Sequence, residues 1–213
     1  MPKDFTLPNL FRDLEYTIFG TEAHVWLFKI APLEDGSMVL EPGCGCGKFG
    51  LAYALRGCDV ILMDIDHEVA DYARRVKKAL NSLLGFPLAV TVRIGDIHRL
   101  HYEDNTFDLV LNEGVPQHWP DEEKRQGAID QMARVSRDYV IVMGNNGLRE
   151  EEQKADREVN FGYKGMPPRR KCFTPDELEM RLKKAGLKKV QVEGVTPGPI
   201  EDSYLVGGWG RKT

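Results

Sequence analysis

The stretch Met38-Val-Leu-Glu-Pro-Gly-Cys-Gly-Cys-Gly-Lys-Phe-Gly50 decides how the rest of the chain is read. Met38 to Leu40 is a short apolar run of the kind that forms a buried strand. Glu41 and Pro42 follow, then glycines at the alternate positions 43, 45 and 47, and Phe49 with Leu51 opens a helical pattern. Glycine permits positive φ and lets a bound molecule approach the backbone more closely than any Cβ would allow, while the start of a helix presents N–H groups. The spacing therefore predicts strand, tight turn and helix, with a ligand seated over the turn.

Two ligand patterns overlap here. Gly45-x-Gly47-x-x-Gly50 matches the dinucleotide fingerprint, and Asp64 stands about 20 residues on, where that fingerprint places its ribose carboxylate. Glu41 argues the other way: a carboxylate just ahead of the first glycine repels a pyrophosphate and suits a ligand carrying an ammonium and a sulfonium, as S-adenosylmethionine (SAM) does. The run Glu41-Pro42-Gly43-Cys44-Gly45-Cys46-Gly47 resembles motif I, acid-x-Gly-x-Gly-x-Gly, of the class I, Rossmann-like SAM-dependent methyltransferases. The resemblance continues in order through Val60-Ile61-Leu62-Met63-Asp64-Ile65-Asp66, Gly95-Asp96-Ile97 and Phe107-Asp108-Leu109-Val110-Leu111-Asn112. It is clear over roughly residues 36 to 145 and looser beyond. It implies a doubly wound, three-layer α/β fold on a seven-stranded sheet of order 3-2-1-4-5-7-6 with strand 7 antiparallel. The implied cofactor is SAM and the product S-adenosylhomocysteine (SAH).

With 213 residues the chain suits one well-buried domain, 1–213, rather than two. Its 29 basic and 33 acidic residues leave a net charge of −4, which gives no general footprint for nucleic acid. No basic segment leads into an apolar run with a cleavage site, and no apolar stretch approaches the ~20 residues that span a bilayer, so a cytoplasmic location without membrane attachment is expected. Four cysteines do not make a disulfide framework. Cys44 and Cys46 lie inside the glycine turn, and no second pair has the spacing to complete a metal site with them, so no metal is expected.

Residues 1–35 are too apolar for a disordered tail. Leu7, Leu10, Phe11 and Leu14 fall at helical spacing, which fits both an amphipathic helix on the core and, as in the resembled family, a lid over the ligand. Strands are predicted at Asp59–Met63, Leu88–Ile94, Phe107–Leu111 and Tyr139–Met143, with helices at Phe49–Arg56, His67–Leu84 and Asp121–Val135 between them. Residues 144–172 form a long charged interruption containing Lys164, Arg169, Arg170 and Lys171, readable as a solvated loop or as a hint of an anionic acceptor. Thr174-Pro-Asp-Glu177 reads as a helix start with a capping box, the helix ending near Ala185. Lys189–Val195 and Ser203–Trp209 are then an antiparallel pair.

In an open parallel sheet ligands bind beyond the carboxyl ends of the strands, where the strand order reverses. By resemblance, Glu41, Gly43, Cys44, Gly45 and Gly47 hold the cofactor from motif I, and Asp64 accepts from both ribose hydroxyls, with a helix N-cap as its plainer role. Ile65 packs on the adenine. Asp96 accepts from the adenine amino group, with the Ile97 N–H nearby, or is an ordinary turn aspartate. Asn112 meets the methionine part through its carbonyl or side chain, or is a loop polar residue. His118 serves as general base, or is a structural histidine packed on Trp119. The strand 4 exit lacks the Asn-Pro-Pro-Tyr of enzymes that methylate amide or nucleobase nitrogens. That favours a small-molecule acceptor over RNA or protein, with a nicotinamide-dependent oxidoreductase as the reading outside this family.

Overall fold

The structure, a computed structural model, describes residues 7–149 and 172–213. The strands β1 (Met38–Pro42), β2 (Asp59–Asp64), β3 (Val90–Ile94), β4 (Phe107–Glu113), β5 (Ser136–Asn145), β6 (Lys188–Gly194) and β7 (Leu205–Arg211) form one sheet of order β3-β2-β1-β4-β5-β7-β6. β7 runs antiparallel to both β5 and β6, and the remaining pairings are parallel, as the resemblance implies. The order reverses between β1 and β4. Helices α1 (Leu7–Phe19), α2 (Glu22–Ile30), α3 (Lys48–Ala54) and α4 (His67–Leu84) contribute to one core layer, and α5 (Glu122–Val135) and α6 (Pro175–Lys184) to the other.

Local chemistry explains most boundaries. α4 buries the stripe Val69, Tyr72, Ala73, Val76 and Leu80, begins where the Asp66 carboxylate accepts from Glu68 N, and stops at Gly85 with φ 77°. The helix expected around Leu7 to Leu14 is α1, and a second helix follows it. Gly20 at φ 75° separates the two, and Thr21 N donates to His24 Nδ1 at 3.0 Å to start α2. Thr174 caps α6 as expected by accepting from Glu177 N. Glu177 does not spend its carboxylate on a return bond to the cap: Oε1 accepts from Arg181 Nε at 2.9 Å and lies 3.2 Å from the buried Arg125, tying α6 to α5.

The two ends of the long interruption meet. Phe173 N donates to Asn145 O at 3.1 Å, and Gly147 N to Phe173 O at 2.7 Å, at the top of β5. The basic cluster at Lys164, Arg169, Arg170 and Lys171 falls outside the described residues.

β7 begins two residues later than the predicted Ser203, because Ser203 is buried and turns its hydroxyl onto Leu205 O at 2.6 Å. Its glycines hide any alternation. Trp26 of α2, whose indole N–H donates to Glu193 Oε1 at 2.6 Å, lies close enough to the sheet that a Cβ on Gly207 would stand 2.4 Å from the ring. Gly207→Ala is expected to cost about 1–3 kcal/mol by overpacking. Urea unfolding measures it, and an unchanged midpoint would contradict this packing.

Candidate cofactor site at the strand ends

The glycine turn leaves β1 and enters α3, as predicted. Its glycines divide by what surrounds them. A Cβ on Gly43 would stand 2.2 Å from Val115, and on Gly47 or Gly50 it would stand 2.5 Å from Leu62. On Gly45, at φ 56°, it would meet nothing within 4 Å. Three glycines serve the protein's own packing, while Gly45 faces open space among the described residues.

Several backbone donors of the turn are spent within the protein. Gly43 N and Cys44 N donate to Met63 O, Gly47 N to Cys44 O, and Gly45 N to Asp64 Oδ2. Gly50 N donates to Glu41 Oε2 at 2.8 Å. These N–H groups hold the turn together. Glu41 lies beneath the turn with 2% of its surface exposed. Cys44 and Cys46 are free thiols, and burial raises both pKa values, that of Cys46 to about 12, which keeps them protonated.

Asp64 ends β2 nearly buried, with Oδ1 accepting from Asp66 N at 3.0 Å and Oδ2 from Gly45 N at 3.2 Å. Burial raises its pKa against those bonds. It is not the helix cap, a role filled by Asp66. Ile65 beside it is 59% exposed, a large apolar side chain held open at a strand end, while Ile97 is buried. Asp96 Oδ1 accepts from His98 N at 2.9 Å in a turn, the plainer of its two expected roles, and its side chain remains 45% exposed.

At the β4 exit Asn112 is fully buried, donating from Nδ2 to Pro42 O and accepting Val115 N at 3.0 Å. The fold takes up its side chain, cross-linking β1 to β4. His118 is buried in the 3-10 turn Pro116–His118. Trp119 beside it meets the ring of His98 edge-on, with centroids 4.4 Å apart.

Three residues at this rim went unread in the sequence. Gln117 is buried, accepts from Asn145 N at 2.8 Å and donates to Asn145 Oδ1 at 3.2 Å, clamping the β4 exit to β5. Lys48 opens α3 and Glu113 closes β4, and their side chains meet at 3.0 Å across the gap where the strand order reverses.

Burial pushes the Glu41 pKa from 4.5 up to about 8, opposed by the Gly50 N–H. The folded state then holds a proton that the unfolded chain has lost, so this group's stabilisation is complete below about pH 4.5 and disappears as pH rises through about 8. Glu41→Gln should therefore gain stability relative to the unaltered chain as pH rises from about 5 to about 8 in ligand-free urea unfolding. A difference independent of pH would contradict the buried carboxyl.

Residues 40–142 match a sequence family described as a methyltransferase domain. The chain is 27% identical over 173 residues to a ubiquinone biosynthesis O-methyltransferase of Brucella anthropi, covering 80% of this chain and 67% of that one. It is 31% identical over 102 residues to phosphoethanolamine N-methyltransferase 3 of Arabidopsis thaliana, covering 48% and 20% respectively. Among solved structures, magnesium protoporphyrin IX methyltransferase of Synechocystis with bound SAH superimposes at a TM-score of 0.68 and 17% identity, covering 98% of this chain and 88% of that one. The dinucleotide reading of Gly45, Gly47 and Gly50 accordingly gives way. The matched domain, the sheet order and the glycine turn together fit a class I, Rossmann-like SAM-dependent methyltransferase.

Proposed function

We propose that the chain transfers a methyl group from SAM to a small-molecule acceptor by in-line displacement, releasing SAH. The observation that carries this reading is the open space over Gly45, flanked by the Asp64 carboxylate and the exposed Ile65. When bound, the cofactor supplies an electrophilic methyl group on a sulfonium. Asp64 accepts hydrogen bonds from the ribose hydroxyls, Ile65 covers a face of the adenine, and Asp96 with the Ile97 N–H addresses its edge. Displacement at a sulfonium depends mainly on alignment and exclusion of water.

α1 and α2 serve as the wall that excludes water. α1 is held down where Tyr72 of α4 donates to the buried Asp13 carboxylate at 2.6 Å. His118, buried at the β4 exit, takes the proton that the acceptor loses. The β4 exit sequence, the acidic net charge and the small-molecule relatives all support a small acceptor.

Incubating the full chain with SAM and a panel of phenols, amines and carboxylic acids, alongside RNA and protein, should release SAH with a small molecule. Release with RNA or protein alone would contradict the acceptor class. Asp64→Ala should weaken SAH binding by about 2 kcal/mol, the loss of hydrogen bonds to a charged acceptor. Unchanged affinity by titration calorimetry would remove Asp64 from the ribose.

A further inference from the structure

We propose that His98 is a positioning residue that sets this chain's preference for an amino-bearing purine: its ring fixes the Asp96 carboxylate so that one oxygen is left to meet the base. The inference rests on the SAM reading above and deepens it. Asp96 stands in the turn after β3, its side chain 45% exposed. Its Oδ1 is taken twice by one residue, accepting from His98 N at 2.9 Å and lying 3.1 Å from His98 Nδ1. Among the described residues no hydrogen bond engages Oδ2.

The ring is itself held from its far side. His98 Nε2 lies 3.1 Å from the Lys124 carbonyl in the first turn of α5. A carboxylate and a carbonyl only accept, so Nδ1 carries a proton to bond Asp96, and the ring protonated on both nitrogens bonds Lys124 as well. Trp119, at the exit of β4, meets the ring edge-on with centroids 4.4 Å apart, and a Cβ on Gly127 of α5 would stand 4.0 Å from its Cδ2. Contacts from α5 and from the β4 exit thus restrain the imidazole, and the imidazole restrains Asp96. A backbone N–H two residues on is the ordinary partner of a turn aspartate. The ring adds a second donor to the same oxygen, which decides that Oδ2 is the one facing outward. A carboxylate held in this way has less side-chain freedom to lose when a ligand binds than one turning freely in solvent. An exocyclic amino group donates to Oδ2, whereas a carbonyl at the same purine position sets two acceptors against each other.

Titration calorimetry of the full chain with SAH and with S-inosylhomocysteine, in which a carbonyl replaces the adenine amino group, measures the preference. The unaltered chain should bind SAH about tenfold or more tightly than the inosine analogue, the effect of a charge-assisted hydrogen bond. His98→Asn keeps a donor where Nδ1 stood and should retain most of that ratio. His98→Gln keeps a donor where Nε2 stood, within reach of Lys124 and not of Asp96. It should bring the ratio to within about threefold, as should His98→Leu, by weakening SAH and leaving the inosine analogue nearly unchanged. A histidine that only ties the turn to α5 predicts the opposite order, with His98→Gln preserving the ratio, and that result overturns the proposal. A ratio unchanged in all three variants overturns it equally, as does His98→Leu losing both ligands alike. If the unaltered chain binds the two ligands with equal affinity, the cofactor reading stands and this inference fails. If it binds neither, the cofactor reading fails and takes the inference with it.

Discussion

Helix α3 lies against β1 and β2 only because positions 47 and 50 carry no side chain. A Cβ at either would stand 2.5 Å from the Leu62 side chain, and one at Gly50 would also reach 2.8 Å from the Glu41 carboxylate. That close approach lets Glu41 at the end of β1 accept the Gly50 N–H and lets Gly43 and Cys44 hang from the Met63 carbonyl of β2. Strand, turn and helix are thereby one rigid unit. What remains open is the space over Gly45, with the Asp64 carboxylate at its edge. Among the described residues, the glycines on either side of Gly45 are packed against and Gly45 is not.

The same packing sorts the charges. Glu41 is driven beneath the turn, where burial favours its protonated form, while Asp64 keeps hydrogen bonds from two backbone N–H groups that oppose the effect of burial. Lys48 and Glu113 stay at the rim, partly exposed and paired. Acidic groups within one crevice are thus kept distinct by environment, a buried carboxyl held by one N–H, a carboxylate held by two, and a carboxylate paired with a lysine.

Much of this was legible because it is local. Asp66 and Gly85 bracket α4, Thr174 starts α6, and the apolar runs of β1, β2 and β4 lead into polar residues at the strand ends, each a signal carried within a few residues. Glu41 was read for its charge and not for its burial, since burial depends on how closely α3 returns to the sheet. The break at Gly20 was hidden inside a continuous apolar stretch, and β7 lacked alternation because Gly207, Gly208 and Gly210 make room for Trp26, Leu178 and Leu187. Gln117 and Glu113 look like ordinary loop polar residues until β5 and α3 bring Asn145 and Lys48 to them from distant parts of the chain. Contacts of that kind come from strand order, and no sequence window contains them.

The central claim is that the open space over Gly45 seats the adenosyl cofactor. A crystal structure of the full chain grown with SAH tests it most directly. The expected density places the ribose diol on Asp64 and the adenine against Ile65. SAH density away from the glycine turn, or a turn closed by its own side chains while SAH binds elsewhere, would contradict the account.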